Sequence, residues 1–385
     1  MRSELDGLIQ KEGNRMNDFI EPIFNMNKIK FDRLDQLAVI PPGTTHVNIF
    51  IGLEGVFRTL INSRIENQLR ASGYDQKQLK LDLISGIINL GQHYRLYCAK
   101  QRISSKIILY WNYPMGNYKN RTYIPKYRDE YNRKMFRSDT CPFLVETMED
   151  AHELLKTTVD YINEVYVVDG GVAESSLVPY ILAKTLPSSE HVQNLIVTRF
   201  SYDFQYIAYG YKVVVPAKDD SELITVDNVV DKMKTSGHIK NPLTVPLQQI
   251  VTMKALLGDE HRGIPKLDGY GLSGAVKTIN HAVQSLKIHS ACEEIEYLEE
   301  IVEEKHRRSF HNNYRCISLP YQESELTPTN VSYIENQLVD KFDDDKLKEI
   351  NETVFMQCPL MIVNTRTEQV RNTERFRYDA KSIFL

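Results

Sequence analysis

The chain has 385 residues, which corresponds to two or three domains at a typical size of roughly 150 residues each. Apolar residues make up 42% and charged residues 25%, close to globular averages, so a disordered or collagen-like chain is excluded. The 47 basic and 51 acidic residues give a net charge of −4. This balance does not favour a protein that attracts nucleic acid through the electrostatic field of the whole chain. It leaves open a local basic patch.

Targeting and redox signals point to a reducing compartment. No apolar run approaches the roughly 18–20 residues of a membrane span, and the N-terminal MRSELDGLIQKEGNRMN has no apolar region typical of a signal peptide. The five cysteines are scattered, with neither CxxC nor zinc-ligand spacing. We therefore expect a cytoplasmic protein that is not secreted and has no membrane contact.

Short apolar strands alternate with helical segments through the first 216 residues, which predicts an α/β fold with a mainly parallel central sheet. The predicted strands are Thr45–Ile51, Ser105–Trp111, Val165–Val168, Leu195–Thr198 and Lys212–Pro216. Helical periodicity falls between them, at 56–61, 76–103, 149–163 and 174–185.

The rest of the chain divides by composition. Residues 246–310 carry only helical periodicity and one Gly-rich turn, and 112–140 is polar, basic and rich in tyrosine. The predicted organisation is an N-terminal arm at 1–42, an α/β core at 43–240 with an arch-like segment at 112–140, a helical region at 241–315 and a C-terminal extension at 316–385.

The strongest local motif is the run from Gly269 to Ala275, GYGLSGA. Glycines permit the tight turn, and the backbone N–H groups of the helix that follows point at a phosphate. The motif is typical of a helix-hairpin-helix, and a simple interhelix turn is the alternative. Its nucleic-acid-binding residues would be Gly269, Gly271, Ser273, Gly274 and Lys277.

Two basic clusters are also visible. In 118–134, basic residues alternate with tyrosines, a pattern that suits phosphate contact and base stacking, although a solvated loop is the alternative. The cations concerned are Lys119, Arg121, Lys126, Arg128 and Arg133. The second cluster, 305–308 (KHRR), follows an acidic helical stretch at 293–304, and we assign it to favourable charge at the carboxyl end of that helix.

Extended upstream through Gly258-Asp259 and Ile264-Pro265, the hairpin motif resembles the structure-specific 5′-nuclease family, the flap endonucleases and 5′-3′ exonucleases of phages, bacteria and eukaryotes. Residues 47–58, 118–134, 171–183 and 196–207 resemble further family segments in the family's order, so the resemblance covers about 45–285. It implies a PIN-like α/β core with a helical arch and a helix-hairpin-helix region.

The family's chemistry is two-metal phosphodiester hydrolysis, which requires several converging carboxylates. At the positions that match the family's acids, this sequence has mainly uncharged residues: Ile51, Trp111 or Asn112, Ala173, Ser175, Ser176, and Phe200 with Tyr202 or, with a shift of one residue, Ser201 with Asp203. Asp259 is kept, and Arg262 replaces a second aspartate; we expect Arg262 to neutralise Asp259. The sequence therefore predicts a dismantled metal centre with no cofactor.

Three functions follow from the resemblance. The first is a catalytically degenerate phage or viral protein, a pseudoenzyme that binds DNA or acts as a scaffold in a replication, transcription or virion complex of the host cytoplasm. The second is an active Mg²⁺- or Mn²⁺-dependent flap endonuclease with Glu174, Asp203 and Asp259 as catalytic residues and Asp169 as a further ligand. The third is a structural subunit that contacts only protein partners.

Overall fold

The computed structural model places most of the α/β core and the helical region. The structure describes residues 40–60, 101–111, 118–129, 144–159, 165–186, 189–198, 200–215, 222–233, 245–286 and 302–338, together with 80, 83–84, 87, 94–95 and 97–99. The predicted arm up to residue 39, the second half of the arch-like segment and the chain after 338 lie outside the described residues.

A six-stranded sheet forms the centre of the fold, in the order β3-β2-β1-β4-β5-β6. Its strands are β1 (His46–Gly52), β2 (Ser104–Trp111), β3 (Val165–Asp169), β4 (Val192–Val197), β5 (Lys212–Val215) and β6 (Glu222–Ile224). All neighbouring strands pair in parallel except β6, which is antiparallel to β5. The predicted α/β class with a mainly parallel sheet is confirmed.

The strand order fixes where a site can form. From β1 the chain builds β2 and β3 on one side and then returns to place β4 and β5 on the other side. The side chains of Val47, Ile49, Phe50 and Ile51 in β1 are all buried, as expected for a strand with helices on both faces. In such sheets, ligands bind beyond the carboxyl ends of the strands where the order reverses, which is here between β1 and β4.

Helices connect the strands and form the second half of the molecule. Through the sheet they are α1 (Leu53–Leu60), α2 (Tyr118–Tyr123), α3 (Leu144–Val159), α4 (Leu177–Thr185) and α5 (Val229–Lys232). After the sheet follow α6 (Ile250–Leu257), α7 (Leu272–Leu286), α8 (Glu304–Ile317), α9 (Leu319–Ser324) and α10 (Pro328–Glu335). No helix among the described residues is long and apolar enough to cross a membrane.

A compact loop joins α6 to α7. Gly258 ends α6 with a φ of 71°, and Asp259 and Ile264 exchange two backbone hydrogen bonds of 2.9 Å. Between them, Glu260–Arg262 form a 3₁₀ turn, and the Asp259 carboxylate caps it by accepting from the N–H of Arg262. This loop places Arg262 beneath the carboxyl end of the sheet.

Residues of α8 and of the segment after α10 pack on the core. Asn313 of α8 donates to the carbonyl groups of Ala255 and Pro265, and Gln337 exchanges hydrogen bonds of 2.8 and 2.9 Å with the backbone of Asp169. Through these contacts, α8 and the residues after α10 complete the surroundings of the sheet's carboxyl edge.

Candidate functional site at the carboxyl end of the sheet

Five buried carboxylates lie at the carboxyl side of the sheet, with Asp169 at the end of β3 apart from the contacts that link the others. Each comes from a separate element: the first turn of α1, the end of β3, the turn before α4, the 3₁₀ helix 201–209 and the loop after α6. In chain order they are Glu54, Asp169, Glu174, Asp203 and Asp259. Buried charges of one sign are stable together only if cations or protons compensate them, so their partners decide the chemistry of the site.

Arg128 lies between two of these carboxylates. Its guanidinium pairs with Glu54 through Nη2 and with Glu174 through Nη1 at 3.0 Å, and all three side chains are buried. Burial disfavours the charge on Arg128, but the two glutamates outweigh it and raise the pKa of the guanidinium. Arg128 also has a φ of 60°, a strained value for a residue with a side chain, and its N–H donates to the carbonyl of Arg262.

Arg262 is the second internal cation. Its Nη2 donates to Ser176 Oγ at 2.7 Å and lies 3.5 Å from Glu174 Oε1, and its guanidinium stacks on the ring of Tyr202 at 3.4 Å. Glu174 also accepts a 3.0 Å hydrogen bond from Tyr127. Two guanidinium groups and a phenol therefore surround the Glu174 carboxylate.

Lysines neutralise two of the remaining acids. Lys254 Nζ lies 2.9 Å from Asp259 Oδ2 and donates to Ser201 Oγ at 2.9 Å. At the β3 end, Lys156 Nζ lies 3.5 Å from Asp169 Oδ2, and the other carboxylate oxygen accepts from the N–H of Gly171. Asp259 is thus neutralised by Lys254, while Arg262 bonds to it through its backbone.

Asp203 is compensated by a proton. Burial raises its pKa to about 7, although the Thr198 hydroxyl, which donates to Oδ2 at 2.6 Å, works in the opposite direction. Below about pH 7 Asp203 is mostly protonated, and the cations Arg128, Arg262 and Lys254 then balance Glu54, Glu174 and Asp259. The interior of the site is charge-neutral without any external ion.

This donor set does not fit a pair of divalent cations. Mg²⁺ and Mn²⁺ need several carboxylate oxygens that are free to turn toward the ion, whereas the acids here are held by Arg, Lys or a proton. Within the described ranges, no group of three or more His, Cys, Asp or Glu side chains could hold a metal ion. A guanidinium within 3.5 Å of Glu174 would also repel an incoming cation.

Replacing Asp203 with asparagine should change how stability depends on pH. The pKa of Asp203 rises from 3.8 unfolded to about 7 folded, so the folded protein holds an extra proton in that window. Stability therefore falls as pH rises from about 4 to 7. His152 acts oppositely, because burial, followed by the charge of Lys156, lowers its pKa from 6.5 to about 4, and its contribution is lost as pH falls through that window.

In the native protein the two slopes offset each other between about pH 4 and 7. Asp203→Asn removes the contribution that falls as pH rises. The free energy of unfolding of the variant, relative to that of the native protein, should therefore increase with pH, by up to about 1.4 kcal/mol per pH unit. Urea unfolding at pH 4.5, 5.5, 6.5 and 7.5 measures this difference. A difference that stays constant across the series would contradict the raised pKa of Asp203. For His152→Gln, the free energy of unfolding relative to that of the native protein should decrease as pH rises.

The residues predicted for nucleic-acid contact divide into exposed and buried groups. Lys126, Gly269, Gly271, Ser273 and Lys277 are exposed, and Gly274 is half-buried. Arg121 pairs at the surface with Asp129 at 2.8 Å. Arg128, in contrast, faces inward, so its side chain cannot reach a phosphate. The side chain of Lys119 and the whole of Arg133 lie outside the described residues.

Two functional residues of this site carry a weak signal in the sequence. Lys254 is the single cation in the apolar run Ile250–Leu257, and an acid follows five residues later, a pattern that favours a buried pair. Glu54 lies two residues after the end of β1, in the first turn of α1. Only the fold shows that both belong to one cluster.

Solved structures similar to the chain include two bacteriophage T5 nuclease structures. A flap endonuclease, in a pseudo-enzyme–product complex with DNA and metal ions, is 13% identical over 79% of this chain and 99% of its own, with a TM-score of 0.48. A 5′-exonuclease with bound zinc is 13% identical over 80% and 98%, with a TM-score of 0.47. Values this low carry no functional argument for this chain. No protein-family model matches the sequence, and none of the curated proteins does.

Proposed function

We propose that the protein is a non-cleaving, 5′-nuclease-like protein that binds branched or single-stranded DNA, as a subunit of a phage or viral replication, transcription or virion complex. One observation carries the non-cleaving part. At the place where the fold would assemble hydrolytic metal ions, the carboxylates are already neutralised by Arg128, Arg262 and Lys254. A nuclease site that is occupied by its own cations has no means to activate water.

The exposed hairpin supports the binding part of the proposal. Gly269 adopts a φ of 83°, and with Gly271 and Ser273 it lies exposed at the start of α7. The N–H groups of the first helical turn have no carbonyl partner within the helix, which suits a phosphate oxygen. Lys277, one turn further along, is exposed as well. This arrangement fits a helix-hairpin-helix contact with the DNA backbone.

A cleavage assay beside a binding assay tests the proposal. The full chain is incubated with a labelled 5′-flap duplex and Mg²⁺ or Mn²⁺, and the same substrate is titrated in a gel shift at low salt. We expect binding without cleavage, and affinity that falls steeply as salt rises. Lys126→Glu with Lys277→Glu should weaken binding at least about tenfold, because both changes place an acid beside phosphates.

Other results would overturn the proposal in distinct ways. Metal-dependent cleavage by the native chain, lost in Glu174→Gln, would establish an active nuclease. Absence of both binding and cleavage at low salt would favour a structural subunit that contacts only proteins. Arg102→Glu, just before the amino end of β2, is the control, because it makes one such charge reversal away from the hairpin.

A further inference from the structure

Helix α8 carries an unusual concentration of positive charge. Between Lys305 and Ile317 it has four Lys or Arg residues and two histidines and no acidic residue, and Glu304 is the only acid in the helix. Its apolar side is covered: Phe310, Tyr314 and Ile317 are buried in the main hydrophobic core. The helix therefore has one anchored face and one basic face.

The basic residues are placed against the helix dipole. Because α8 begins at Glu304, the run 305–308 lies at an amino-terminal end, whereas the sequence had suggested the carboxyl end of a preceding helix. At an amino terminus, cations are disfavoured by the partial positive charge of the helix. Lys305, Arg307 and Arg308 are nevertheless exposed there. Arg307 Nε donates to the carbonyl of Val302 at 3.4 Å, whereas Arg308 lies exposed at a position that the helix dipole disfavours.

One stripe of α8 follows the helical repeat along the surface. Lys305, Arg308, Asn312 and Arg315 are spaced by three, four and three residues, so they share one face. Lys305 has an acidic partner, Glu303 at 2.7 Å, but both side chains are more than 60% exposed. An exposed ion pair of this kind contributes about 0–1 kcal/mol, so Lys305 can exchange it for a phosphate.

Each end of the stripe meets a segment already assigned to DNA contact. At the start of α8, the ring of His306 lies 6.1 Å from that of Tyr270 in the hairpin. Near its end, Asn312 donates to the carbonyl of Tyr123, and Arg315 lies 5.2 Å from the ring of Tyr123 in α2. Helix α8 thus spans the gap between the hairpin and the segment 118–126.

We infer that the exposed face of α8 is the central part of one continuous nucleic-acid surface, which runs from the hairpin across Lys305 and Arg308 to the segment 118–126. The inference rests on the proposed DNA binding and extends it to a helix that had no assigned role. A helix of 14 residues is about 20 Å long, which matches roughly six phosphates along one strand of duplex DNA. The contact is to the backbone and so independent of base sequence.

The test is a salt titration of affinity with charge-reversal variants of the full chain. Fluorescence anisotropy on the 5′-flap duplex compares the native protein, Lys305→Glu with Arg308→Glu, Lys277→Glu and the control Arg102→Glu. We expect the α8 double variant to bind at least about tenfold more weakly at 50 mM salt, with the slope of log affinity against log salt smaller by about 2. Arg102→Glu should match the native protein.

The outcomes separate this inference from the proposed function. If Lys277→Glu weakens binding and the α8 double variant binds like the native protein, the role of α8 is overturned and DNA binding by the hairpin stands. If the native chain does not bind, both fail together. Because Lys305 and Arg308 are exposed, the double variant should keep the native melting temperature, and equal melting temperatures exclude misfolding as the cause of weaker binding.

Discussion

Replacing Arg262 with methionine should lower the free energy of unfolding by about 3–5 kcal/mol. Methionine has a similar volume, so the packing against Tyr202 is partly kept while the charge is lost. The change leaves Glu174 with one guanidinium fewer in a site closed to water, and Ser176 loses its donor. Urea unfolding of native and variant chains at pH 7 measures the difference.

The charge-balance argument makes the companion variants informative. Adding Glu174→Gln to Arg262→Met restores neutrality, because Arg128 then faces Glu54 alone. The double variant should therefore be less destabilised than the sum of the two single changes, by about 1–3 kcal/mol. Arg121→Met, which removes an exposed pair with Asp129, is the surface control and should cost about 0–1 kcal/mol. Equal losses for Arg262→Met and Arg121→Met would contradict the internal-cation description.

Both the parallel sheet and the presence of a cation among the acids at its carboxyl edge could be predicted from sequence. Apolar strand-length runs separated by helical periodicity are sufficient for a parallel sheet, because such strands are buried on both faces and leave a continuous apolar signal. The three-residue β6 has no such signal and was not predicted. The sequence near Asp259 was also informative, because three residues later it has an arginine, whereas a metal site would need an acid there.

The direction of individual side chains could not be predicted. Arg262 was expected to neutralise Asp259, yet the 3₁₀ turn sends its guanidinium to Glu174 and leaves the acid to Lys254. Glu174 precedes α4, which begins at Leu177, so a helical repeat does not determine where its side chain points. Irregular segments of this kind follow tertiary contacts rather than a repeat.

Arg128 shows the same limit most clearly. In the sequence it is one of several cations in a tyrosine-rich segment, which favours a phosphate contact. In the structure its positive φ turns the chain so that the guanidinium enters the cluster while Lys126, two residues earlier, stays exposed. A non-glycine residue in the left-handed region has no reliable sequence signal. The proposed nucleic-acid surface and the internal ion cluster therefore take alternate residues of one turn.

Replacing Gly258 with alanine should lower the free energy of unfolding about as much as removing an internal cation does. Its φ of 71° already disfavours a side chain, and an added Cβ would lie 2.5 Å from the carbonyl oxygen of Ile264 and 2.6 Å from the N–H nitrogen of Lys266. These neighbours are backbone atoms, so they cannot move aside without opening the loop. Strain and overpacking together predict a loss of about 3–5 kcal/mol in the free energy of unfolding.

The consequence of this substitution reaches both parts of the molecule. The loop 258–264 carries Asp259 and Arg262 into the ion cluster and sets the entry to the hairpin, so Gly258→Ala should expose the paired amides of Asp259 and Ile264 to hydrogen exchange. Gly43→Ala is the matched control, because its φ is 85° but nothing lies within 4 Å of the added atom. It should cost only about 1 kcal/mol. Equal stability of Gly258→Ala and Gly43→Ala would contradict close packing as the reason for glycine at 258. It would also mean that the loop 258–264 does not hold Asp259 and Arg262 rigidly in the ion cluster.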